Sequence, residues 1–247
     1  MTDTTSDRFR VERDGPVARV TLCQPDNGNT LAPPDMNAFG KSILREGSSP
    51  DVKVVLVDAE GADFCLGRRH VANVPKPANA RAFRARVADA ILGVYADIRA
   101  TPVPVLTAAQ GRSFGFGCAF AVASDITIAE HSATFALPEM DTNLPPTLAI
   151  SACLPKMPQK AILHMVLTRE PVDAQTAFHH GMISQVVTDG SVSGAANDYL
   201  EKLIDRDRDA LIAIKEYMQL APGMSADAAA RYGANLIATE MTSQERD

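Results

Sequence analysis

The run Val52-Lys53-Val54-Val55-Leu56-Val57 carries five branched apolar side chains without alternation and is bounded by Asp51 and Asp58. A strand with one wet face alternates polar and apolar residues. A run of this kind suits a strand buried on both faces, as in parallel sheets covered by helices on either side. The chain is therefore expected to build a layered α/β core.

Other segments fit that frame. Ala18, Val20 and Leu22 alternate with Arg19 and Thr21, as in a half-buried strand after a polar lead. A turn-rich stretch at 25–30 leads to a helix expected at 35–44. Phe83, Val87, Ala90, Ile91, Val94 and Ile98 fall at helical spacing and stop before Thr101-Pro102. Strands are expected at 103–109, 125–129, 134–137 and 183–187, with a glycine-bearing loop at 111–117 opening a buried helix at 118–123. A helix at 173–180 has Asp173 as its N-cap and Gly181 as its stop. Further helices are expected at 160–167, 193–204, 209–220 and 225–241. The order predicts a core with the active site over 1–189 and a C-terminal helical region over 190–247, with the boundary near Asp189-Gly190.

The 247 residues are 46% apolar and 22% charged, an ordinary globular composition. A net charge of -6 argues against a general nucleic-acid surface, although local contacts still allow a phosphorylated cofactor. Cys23, Cys65, Cys118 and Cys153 lack the spacing of a zinc or C-x-x-C site, so no metal is expected and the thiols read as reduced. No apolar run approaches the roughly 18 residues of a spanning helix, and residues 1–10 lack a secretory apolar stretch. The expected location is the cytoplasm, with no membrane partner.

Candidate chemistry lies in three places. Gly67 follows one strand, and Gly115 and Gly117 flank Phe116 after another. Glycine there lets a ligand approach the backbone, and a helix start offers free N–H groups to developing negative charge. The second loop lacks the third glycine of a dinucleotide fingerprint, since Phe120 stands in its place. Pro138-Glu139 ends a strand, where a carboxylate serves either as a cleft base or as a solvated turn residue. His164 reads as a core histidine, His70 adjoins the first loop, and Asp125 fits a structural turn.

Together these segments resemble the enoyl-CoA hydratase/isomerase, or crotonase, superfamily. Its A-F-x-x-G-x-D corresponds to Asp63-Phe64-Cys65-Leu66-Gly67-Arg68-Arg69, and its G-x-x-x-G-G-G-C-x-x-A to Gly111 through Ala121, followed by Ser124-Asp125-Ile126. F-x-x-P-E is matched by Phe135 through Glu139, and A-x-x-x-G-[LM]-[IV] by Ala177 through Ile183.

The resemblance implies a crotonase-like spiral of ββα units, with the C-terminal helices packing into a homotrimer or hexamer. It implies an acyl-CoA thioester substrate, with coenzyme A part of the substrate and no separate cofactor. The backbone N–H groups of Arg68 and Phe116 would form an oxyanion hole, and Glu139 would be the acid/base. Gly67, Gly115, Gly117, Asn29, Leu31 and Ala119 would contribute to substrate binding. Hydratases of the family carry a second glutamate at the place of Ala119. Its absence leans the expectation towards double-bond isomerisation, which needs one base, over water addition, which needs two proton-handling groups. Asp141 is the substitute carboxylate to weigh, and Arg69 the residue that could reach a CoA phosphate. The rival readings are a hydratase, a non-catalytic CoA-thioester binding subunit, and cleavage of a non-CoA diketone.

Overall fold

The computed structural model describes residues 7–71, 75 and 77–244; the polar lead at 1–6 lies outside them. The described strands are β1 (Phe9–Asp14), β2 (Val17–Leu22), β3 (Val54–Ala59), β4 (Val105–Ala109), β5 (Arg112–Phe114), β6 (Ile126–Glu130), β7 (Thr134–Ala136), β8 (Val172–Asp173) and β9 (Gln185–Val187). The helices are α1 (Pro33–Gly47), α2 (Ala80–Phe83), α3 (Asp89–Ala100), α4 (Phe116–Ala123), α5 (Thr147–Cys153), α6 (Gln159–Thr168), α7 (Ala174–His179), α8 (Val192–Ile204), α9 (Arg208–Leu220) and α10 (Ala226–Gln244).

Six strands form the main sheet in the order β1-β2-β3-β4-β6-β9, and β5-β7-β8 form a second, smaller sheet. Only the β1–β2 pair of the main sheet is antiparallel. β3 lies inside the sheet, and Val54, Val55, Leu56 and Val57 are wholly buried. Val55 and Val57 share a core with Met36, Phe39 and Ile43 of α1 and Val94 and Ile98 of α3. Val54 and Leu56 face Val192, Ala196 and Leu200 of α8 on the other side. Each such side chain contributes about 1.5–3 kcal/mol by leaving water, so burial of both faces holds the layers together.

The structure departs from the sequence expectations where tertiary contacts override local pattern. β1, read from sequence as a polar lead, is an edge strand with Phe9 fully buried and Glu12, Arg13 and Asp14 exposed. The helix after residue 80 runs through α2, a π turn (Arg84–Ala88) and α3. β5 occupies part of the expected 111–117 loop because it pairs with β7. Asp173 caps α7 by accepting from the Thr176 N–H, as its type and place predict. His164 is exposed on α6 and is not a core histidine: its neighbours Met165 and Val166 take the inward face.

The boundary expected near Asp189-Gly190 is no break in packing, since α8 covers one face of the sheet. α9 is likewise tied to the core. Lys215 is 7% exposed, and its Nζ stands 2.7 Å from Asp125 Oδ2 while donating to the Ile98 and Val103 carbonyls at 3.0 Å. Asp125 Oδ2 also accepts from the Val105 N–H at 2.8 Å. Burial pulls the Lys215 pKa down, and the Asp125 charge opposes that shift. α10 packs only lightly: Gly233 lies against Tyr217, and Tyr217 stacks on Tyr232.

Replacing Lys215 with methionine would strand a partly buried carboxylate and two carbonyls. The expected loss is about 3 kcal/mol, read as a lower urea midpoint with an unchanged slope.

Candidate functional site

The first loop is held by two parallel bridges, Cys65 to Ser113 and Arg68 to Leu31. Leu31 N–H donates to Gly67 O at 3.3 Å, and Arg69 N–H donates to Leu31 O at 2.8 Å. In such a bridge the groups on either side of the paired residue bond across the gap, so Arg68 turns its own N–H away from Leu31. That N–H makes no hydrogen bond among the described residues. Gly67 has φ +104°, which disfavours any side chain there.

The second loop supplies the other half. α4 begins at Phe116, and the N–H of a first helical residue has no partner within the helix; that of Phe116 makes no bond among the described residues. The two loops touch. A side-chain carbon on Gly67 would stand 3.1 Å from Phe114 O and 3.7 Å from Phe116 N. Gly117 closes the contact from behind, because a Cβ there would meet Cys65 O at 2.2 Å. Two unsatisfied N–H groups thus lie beside each other at a dipole-positive helix end, an arrangement that favours negative charge on an oxygen.

Glu139 comes from the short 3-10 turn Pro138–Thr142, which follows β7. A side chain on Gly115 would stand 3.2 Å from Glu139 Oε1, so the carboxylate lies directly over the Phe116 loop. Its Oε2 is buried without a hydrogen-bond partner among the described residues. Burial raises the Glu139 pKa above the ordinary glutamate value. The carboxylate borders a cavity of about 680 Å³. Phe83, Val87, Ile91 and Tyr95 line one wall, and Leu144 through Ala149 another.

The cavity brings together Gly67, Arg68, Gly115, Phe116 and Glu139, the residues expected to act as a unit, with His70 at its edge. Other expected residues sit elsewhere. Asn29 does not border the cavity. Its amide donates to the Glu60 and Asp63 carbonyls and accepts from the Gln24 N–H, all at 2.9 Å, so it braces the loops internally. Leu31 and Gly117 act behind the wall through the bridge and the close contact already described. Ala119 is fully buried within the apolar core and does not border the cavity.

Asp141 is exposed, pairs with Arg169 and does not border the cavity. Arg69 is held by Asp35 at 3.1 Å. Gly40-Lys41-Ser42 lies inside α1, where Lys41 pairs with Asp97, and forms no phosphate loop. Tyr95 was hidden in the sequence. It falls on the apolar stripe of α3 and reads as core until the fold sets it against the cavity.

A site built from the two loops that follow the central strands β3 and β4 of a mostly parallel sheet, with a helical C-terminal region, defines a crotonase-type protein. The chain belongs to the enoyl-CoA hydratase/isomerase family, whose model matches residues 12–246. It is 32% identical over 179 residues to enoyl-CoA hydratase domain-containing protein 3, mitochondrial, of Mus musculus. That match covers 71% of this chain and spans 58% of the mouse protein's length. It is 25% identical to the carnitinyl-CoA dehydratase of Salmonella enteritidis, over 92% of this chain and 86% of that protein. A crystal structure from Thermobifida fusca YX, assigned as an enoyl-CoA hydratase and in complex with CoA, superposes with a TM-score of 0.85 at 21% identity. That superposition covers 97% of this chain and 95% of the other. Among the described residues no helix is long and apolar enough to cross a membrane.

Gly117→Ala places a methyl group into the Cys65 backbone. The two loops must part, which costs about 1–3 kcal/mol. A lower melting temperature is the expected result.

Proposed function

We propose that this chain is an acyl-CoA enzyme that moves a double bond along an enoyl thioester by a single-base proton shift. The observation that carries the reading is Glu139, poised over the paired free N–H groups of Arg68 and Phe116. In the proposed reaction the thioester oxygen sits on those two donors. Glu139 takes a proton from C2 of a 3-enoyl chain, electron density collects on the thioester oxygen, and the proton returns at C4. Each preorganised donor is worth about 3–4 kcal/mol to such an enolate, on the scale seen when one is removed.

Burial supports the base role by raising the Glu139 pKa, which makes the carboxylate a stronger base at neutral pH. Two observations favour one base over two: Ala119 carries no carboxylate, and Asp141 is turned to solvent. Hydration or dehydration is the second reading, favoured by the names of the relatives at 25–32% identity. The proposed location is a reducing, cytoplasmic compartment, supported by four unpaired thiols.

The proposal also includes a homotrimer or hexamer. Ile214 and Met218 of α9 and Ile237 and Met241 of α10 are each 64–65% exposed, an apolar surface that association would cover. Of the apolar stripe at helical spacing in the sequence, Ala229, Tyr232, Gly233, Leu236 and Ile237, the first four are half-covered by the chain itself and Ile237 is exposed. Light scattering at micromolar concentration should give a mass three or six times 26.4 kDa. A stable monomer would contradict the association.

Glu139→Gln should fold and bind acyl-CoA while turnover falls about 10²–10⁴-fold. The rate should fall as pH drops through the Glu139 pKa, because protonation removes the base. That limb should lie above the ordinary carboxylate range. Side by side, 3-enoyl-CoA should be isomerised faster than crotonyl-CoA is hydrated. The reverse order would put the hydratase reading first.

A further inference from the structure

Two residues that line the cavity each carry a buried polar atom with no hydrogen-bond partner among the described residues: Glu139 at Oε2 and Tyr95 at its hydroxyl. Glu139 has work in the proposed reaction, but the tyrosine has none. Tyr95 is 1% exposed on α3, and its ring stacks on Phe116 with centroids 6.2 Å apart at 19°. Phenylalanine would keep that stack, so the packing does not require the oxygen. A buried hydroxyl without a partner weakens a fold, and one bordering a ligand cavity is satisfied when the ligand brings an acceptor.

The other residues of that wall, Phe83, Val87 and Ile91, are apolar. A lone donor in such a wall reads one position of the ligand, because an analogue lacking the acceptor leaves the donor unpaired.

We propose that Tyr95 is a specificity residue whose hydroxyl donates to an uncharged oxygen on the acyl chain, so the preferred thioesters carry a hydroxyl or oxo group. The inference rests on the acyl-thioester reading of the same cavity. Burial and the neighbouring Glu139 charge push the phenol well above its ordinary range, which keeps it a protonated donor at neutral pH. The same Glu139 charge disfavours a second carboxylate, so the partner oxygen is neutral.

Calorimetry of wild type and Tyr95→Phe with butyryl-CoA, 3-hydroxybutyryl-CoA and 4-hydroxybutyryl-CoA tests this. The wild type should bind at least one hydroxylated ligand about tenfold more tightly than butyryl-CoA, and in Tyr95→Phe that ratio should fall to about one. The variant should melt at the same temperature or higher, since it loses an unpaired buried group. No preference in the wild type, or a preference that survives in Tyr95→Phe, would overturn the assignment. A melting temperature several degrees lower would mark the hydroxyl as structural and overturn it as well. If none of the three thioesters nor CoA itself binds, the acyl-thioester reading fails, and this inference falls with it.

Discussion

The cavity depends on how closely the segment 65–68 lies against the start of α4. Gly117 allows the contact by leaving room for Cys65 O, and the Leu31 bridge holds the other side of the loop. Any side chain at 117 would drive the two segments apart. The same geometry leaves the N–H groups of Arg68 and Phe116 without acceptors, because the bridge bonds their neighbours and the helix begins at Phe116. One steric constraint therefore sets both the packing and the polarity of the site.

Electrostatics follow from that packing. Apolar surroundings raise the Glu139 carboxyl and keep the thiols of Cys65, Cys118 and Cys153 protonated, with Cys65 and Cys153 pushed up to about 12. These buried cysteines thus act as apolar packing groups, and the raised carboxyl suits Glu139 to the base role in the proposed reaction. Arg68 contributes its backbone, yet its guanidinium also borders the cavity, where burial lowers its pKa. In the proposed reaction only the Arg68 N–H meets the thioester oxygen, so a bulky side chain is compatible with this place.

The C-terminal helices divide into two kinds. α8 and α9 are anchored, the first by apolar packing on the sheet and the second by the Lys215–Asp125 pair. α10 has no fully buried residue among those described, and its apolar side chains Ile237 and Met241 face outward. The anchored helices stiffen the scaffold behind the site, and the loosely packed one is the element left for association in the proposed oligomer.

The sequence alone determined much of this protein. The unalternating valine run dictated a strand buried on both faces, helical spacing placed most helices, and four ordered motifs marked the family. The loop glycines and Glu139 were legible because strained turns and a strand-end carboxylate are local features. What only the tertiary structure decided was which residues share the cavity. Asn29 and Ala119, both expected to bind substrate, are consumed by bracing and core packing, while Tyr95 sits on an apolar helix stripe that looks like core. Edge strand β1 was missed because only Phe9 and Val11 of its six residues are apolar, and pairing with β2 supplies what its side chains do not. Periodicity reports which face of an element is buried. It does not report whether that burial is against protein or against the wall of a cavity, and only the packing of distant segments settles that difference.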